Sequence, residues 1–90
     1  MTGLGNKISF YGLLKNEPVG NKENLRSHFE KIGGQSFDEI YRSSMLVGIL
    51  SAGTDGMFEK RYKVTEFGKK QIVAFIELNA YLEQLEFWQP

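Results

Sequence analysis

Ninety residues with no cysteine and a net charge of zero, 11 basic against 11 acidic, predict one small domain and exclude a disulfide framework or a thiolate metal site. An apolar share of 41% and a charged share of 24% fit a folded globular chain, and no apolar run is long enough to span a bilayer. A domain this size buries only about 60–65% of the surface its unfolded chain exposes, so its core is marginal and gains from a partner.

Small secreted domains usually carry disulfides, so a cytoplasmic location is expected. Met1-Thr2-Gly3-Leu4-Gly5-Asn6-Lys7 holds no apolar run, and no signal peptide is expected there. Turn-forming punctuation falls at Glu17-Pro18-Val19-Gly20, at Gly33-Gly34 and at Gly53-Thr54-Asp55-Gly56.

The first block, 5–15, places Ile8, Tyr11 and Leu14 on one helical face, although Gly12 weakens the helix. The second opens on Asn21, a good N-cap, with Glu23 in the first turn. Leu25, Phe29 and Ile32 follow at helical spacing, and Gly33 is suited to the left-handed residue that ends a helix. The third, 36–46, begins with Ser36 and Glu39 in capping-box spacing. Its cap is separated from the second helix by the short turn Gly33-Gly34-Gln35, the outline of a helix-turn-helix.

The period then changes. Ile49 to Ala52 reads as a strand, Asp55-Gly56 as a hairpin turn, and Phe58, Tyr62 and Val64 as the inward side of the return strand. Thr65 caps a last helix over 66–86, within a C-terminal region 66–88. Phe75, Leu78, Leu82 and Leu85 form a heptad-type seam, and Ala74, Leu78, Tyr81, Leu85 and Trp88 a second row. That apolar face is wider than one small hairpin can cover. Charge is segregated: Lys60, Arg61, Lys63, Lys69 and Lys70 dominate 58–70, whereas Glu77, Glu83 and Glu86 are the only charges after Lys70. The predicted class is therefore mainly α with a two-stranded β-hairpin, in the order helix, helix, helix, hairpin, long helix.

Two segments carry a family resemblance: Met45-Leu46-Val47-Gly48-Ile49-Leu50, and Arg61-Tyr62-Lys63-Val64-Thr65-Glu66-Phe67-Gly68-Lys69. The first resembles the passage from helix to wing, and the second the return from wing to terminal helix, of winged helix-turn-helix proteins, particularly small MarR-like and PadR-like regulators. The resemblance covers 21–70. It implies that helix 36–46 reads the major groove, that the tip 54–60 is the wing, and that the last helix pairs with its mate. One departure stands out: the third helix opens on Asp38 and Glu39 and has Arg42 as its only cation.

Gln35, Ser36, Arg42, Ser43 and Ser44 are candidates for base and phosphate contacts, with a solvated helix face as the ordinary alternative. Lys60, Arg61 and Lys63 are suited to phosphates, and equally to guarding a sheet edge. Lys22 and Arg26 lie one turn apart near a helix end that commonly meets the DNA backbone. Phe75, Leu78, Tyr81, Leu82, Leu85 and Trp88 are the candidate dimer interface. His28 is the single histidine, and no metal, cofactor or catalytic set is expected. The expected function is duplex DNA binding, sequence-specific or general, by a homodimeric transcription regulator. The alternative is a winged-helix adaptor or inhibitor that binds another protein.

Overall fold

The computed structural model describes residues 3–52 and 60–88, with side chains over 5–51 and 60–82. The described elements run α1 (Gly3–Asn16), β1 (Val19–Asn21), α2 (Lys22–Lys31), α3 (Phe37–Leu46), β2 (Leu50–Ala52), β3 (Arg61–Val64) and α4 (Glu66–Trp88). The chain is mainly helical, with one small antiparallel sheet. The hairpin tip, from Gly53 through Glu59, lies outside the described residues.

Each helix contributes aromatic or branched residues to one core. In α1 these are Phe10, Tyr11 and Leu14. The expected face is thus rotated slightly, since Phe10 is fully buried while Ile8 is only half-buried. Phe10 meets Phe29 of α2 edge to face at 5.5 Å and Phe37 of α3 at 6.1 Å, arrangements the ring quadrupoles favour.

Local signals set the ends of α2. The Asn21 Oδ1 accepts the amide of Glu23 at 2.8 Å and that of Asn24 at 3.3 Å, satisfying donors that have no partner inside the helix. At the other end Gly33 adopts φ +92°. Its amide reaches the Glu30 carbonyl, and that of Gly34 reaches Phe29, a Schellman closure. Ile32 is the C-cap, its amide still bonded to the His28 carbonyl, and at this end of the helix it is 55% exposed, not part of the core face with Leu25 and Phe29.

The sheet differs from the expected two-stranded hairpin. It has three strands in the order β1-β3-β2, with Gly20 opposite Tyr62 on one side and Leu50 opposite Val64 on the other. The additional strand lies where Pro18 and Gly20 resemble a turn. At three residues it is too short to show alternation. Pro18, which lacks an N–H, stands just before the ladder, and its carbonyl accepts the Val64 amide at 2.7 Å. Both edge strands are short, which limits pairing with other chains.

Tyr62 and Val64 point into the core from β3, with Arg61 and Lys63 on the opposite, exposed face. The Tyr62 hydroxyl donates to the Glu17 carbonyl at 2.8 Å. Burial, with Glu17 and Tyr41 adding to it, pushes its pKa up to about 12, so it remains a donor at neutral pH.

The sheet joins α4 through Thr65. Its hydroxyl donates to the Gly48 carbonyl and accepts the Gly68 amide at 2.8 Å, tying the helix start to the approach to β2. Gly68 packs directly on backbone: a Cβ there would stand 2.2 Å from the Ile49 carbonyl oxygen. That oxygen already accepts the Thr65 amide and cannot retreat without breaking the corner. Gly68→Ala is expected to destabilise the fold by about 3 kcal/mol or more, measured by urea denaturation. A loss below about 1 kcal/mol would show that the corner relaxes.

Candidate nucleic-acid interface

Helix α3 turns Phe37, Tyr41 and Ser44 inward and leaves Asp38, Glu39, Arg42 and Ser43 exposed. Ser44 is therefore removed from the groove-facing candidates, because its place in the 3.6-residue repeat is on the core side. The Ser43 hydroxyl turns back to the Ile40 carbonyl at 3.2 Å.

The start of α3 is not held by the expected capping box. Ser36 adopts a left-handed conformation, φ +57° and ψ +48°, and its side chain makes no cap hydrogen bond. An N-cap side chain reaches the first-turn amides from extended backbone, which Ser36 does not have. Asn6 of α1 fixes the approach to the helix instead. Its amide donates to the Gln35 carbonyl and its oxygen accepts the Gln35 N–H, both at 2.8 Å. Gln35 and Ser36 are both exposed, so both candidate side chains stand at the solvent side of the turn.

Arg26 bonds Asp38 directly, and the charges of Lys22 and Arg42 act on the same carboxylate. The Arg26 Nη2 lies 2.8 Å from Asp38 Oδ1, and its Nε lies 3.4 Å from Glu23 Oε2. The guanidinium sits over the Phe37 ring at 4.8 Å, and the Lys22 ammonium over Tyr41 at 5.0 Å. The Arg26 hydrogen bond holds the Asp38 carboxyl below the ordinary carboxylate range, outweighing desolvation, with the charges of Arg26, Lys22 and Arg42 acting in the same direction. Arg26 is correspondingly held more firmly in its charged form. Its side chain is 28% exposed against 65% for Asp38, so this pair bridges α2 to α3 along the aromatic layer.

The ribbon meets this cluster through backbone. The Lys22 amide donates to the Lys60 carbonyl at 2.7 Å, next to the Asn21–Arg61 pair of the sheet. Lys60 is exposed at the foot of the hairpin. Lys63 stands in register between Val19 and Ser51 on the outer face that it shares with Arg61. The structure thus groups Lys22, Arg26 and Arg42, attaches Lys60 beside them, and displays Arg61 and Lys63 from the adjoining strand.

The candidate interface residues of α4 separate into two groups. Phe75 is half-buried, meets Tyr11 edge to face at 5.2 Å and lies under the Lys7 ammonium. Leu78, Tyr81 and Leu82 are 56%, 56% and 43% exposed. The side chains of Leu85 and Trp88 lie outside those described. A surface pocket of about 330 Å³, lined in part by Tyr11, Phe75 and Leu78, continues this apolar face towards α1. Among the described residues no group of three or more His, Cys, Asp or Glu is placed to hold a metal ion, and no helix is long and apolar enough to cross a membrane.

The chain matches no known protein family, no curated protein and no solved structure.

Sequence spacing did not reveal the Arg26–Asp38 bridge or the Asn6–Gln35 clamp. Both join residues distant along the chain, 12 and 29 positions apart. Asn6→Ala is expected to cost about 1–2 kcal/mol and to speed amide exchange in the first turn of α3. Unchanged exchange there would remove Asn6 as the support of that helix.

Proposed function

We propose that this chain is a winged helix-turn-helix protein that binds duplex DNA as a homodimer and regulates transcription. The observation that carries the reading is the placement of α3. Its aromatic side is locked into the core and its Arg42–Ser43 side is exposed, beside an α2 start and a β-ribbon that both carry cations. The element order, helix, short strand, two helices, ribbon and long helix, supports it further.

In this reading Arg42 and Gln35 face base edges, while Lys22, Lys60, Arg61 and Lys63 meet phosphates. The exposed Leu78, Tyr81 and Leu82 of α4 supply the contact between copies. Two α3 helices would then enter major grooves about 34 Å apart, on a palindromic site.

A salt titration of binding to mixed-sequence duplex DNA tests this. Affinity is expected to fall steeply with salt, and Arg61→Ala with Lys63→Ala, which removes two cations from each subunit of the dimer, to weaken binding on all sequences and flatten the slope by about four. Arg42→Ala is expected to relax sequence preference by about 1–3 kcal/mol at the base pair it contacts. Salt-independent or absent binding would overturn the reading.

A second reading, a module that binds another protein, is favoured by the acidic opening of α3 and the zero net charge. Light scattering separates the two: a dimer that Leu78→Glu with Tyr81→Glu converts to monomer supports self-pairing. A stable wild-type monomer points to a different partner for α4.

A further inference from the structure

We infer that Asp38 acts as an internal stand-in for a DNA phosphate, occupying the Lys22–Arg26–Arg42 cluster in the free protein and limiting how tightly that cluster binds a nucleic-acid backbone. The inference rests on the DNA-binding reading above and deepens it by naming what regulates that surface.

The geometry is that of an anion site already filled. An oxyanion accepts an N–H of a guanidinium at 2.8 Å, the length of a charge-assisted bond, with the charges of two further cations close enough to act on it. The same carboxylate is 65% exposed, so a phosphate approaching the three cations approaches Asp38 as well. Like charges at that range repel, and the cluster presents less positive field than its cations alone would give.

Removing the Asp38 charge does not release Arg26. Its guanidinium has two further contacts, the Phe37 ring at the start of α3 and Glu23 on its own helix, and these do not depend on Asp38. Repulsion, not positioning, is therefore the larger contribution of Asp38 to DNA affinity. Glu39, exposed on the same first turn, has the same charge without the contact to Arg26. It separates a local effect from a change in net charge.

The test measures fluorescence anisotropy of a labelled 20-base-pair mixed-sequence duplex against salt, for wild type, Asp38→Asn and Glu39→Gln. Folding of each is checked by circular dichroism and urea denaturation. Asp38→Asn is expected to bind about threefold to tenfold more tightly at low salt and, with one site in each subunit of the dimer, to steepen the salt slope by up to about two, with Glu39→Gln changing affinity by less than about twofold. Wild-type binding with Asp38→Asn unchanged or weaker overturns the Asp38 assignment alone. An equal gain from both variants also overturns it, leaving net charge as the cause. Absence of binding by all three proteins overturns the assignment together with the DNA-binding reading. Should Asp38→Asn fail to fold, Asp38→Ser is measured under the same criteria.

Discussion

Three phenylalanine rings, one from each of the first three helices, meet at the centre of this domain and fix how α3 is presented. Phe10 lies edge-on to both Phe29 and Phe37, and Phe37 stacks on Tyr41 along α3. Such contacts are directional: rings this close prefer particular tilts, and each restricts the rotation of the helix that carries it. A small domain has little apolar area with which to hold its helices, so interlocking rings give it orientation as well as burial. With Phe37, Tyr41 and Ser44 committed inward, helical geometry leaves Asp38, Arg42 and Ser43 outward.

The cations of α2 belong to the same layer. Arg26 and Lys22 lie on the outer faces of Phe37 and Tyr41, so the rings that close the core on one side support positive charge on the other. A guanidinium held over a ring and bonded to a carboxylate keeps fewer rotamers than one extended into water. Much of its ordering is complete before any ligand arrives. The α2–α3 corner is thus both a structural joint and a shaped electrostatic surface.

What could be read from the sequence follows from how local each cause is. Asn21 capping α2, Gly33 closing it, and Thr65 opening α4 depend on neighbours within a few residues, and their spacing announces them. Tyr62 and Val64 were legible because β3 alternates over four residues. By contrast β1 is a strand only because β3 lies beside it. Its own residues, between Pro18 and Asn21, resemble a turn. Ser36 and Glu39 show the opposite failure: a valid local motif is not used, for Ser36 is left-handed and the residue before it, Gln35, is held by Asn6 from another helix. Of the candidate interface, the exposure of Arg42 and Lys63 was visible in periodicity. That Arg26 and Lys22 of α2 bear on Asp38 of α3 required the fold, whereas Arg42 lies four residues from Asp38 on one helix.

Asn21 has two roles at once, as the last residue of β1 and the N-cap of α2, so no linker separates sheet from helix. The mechanical result is a joint without slack. Inserting a single residue there would either reverse which side of the strand each side chain faces or turn α2 by about 100° about its axis, moving Arg26 away from Phe37. Arg61, the register partner of Asn21, is therefore joined to the helix pair with no loop between them.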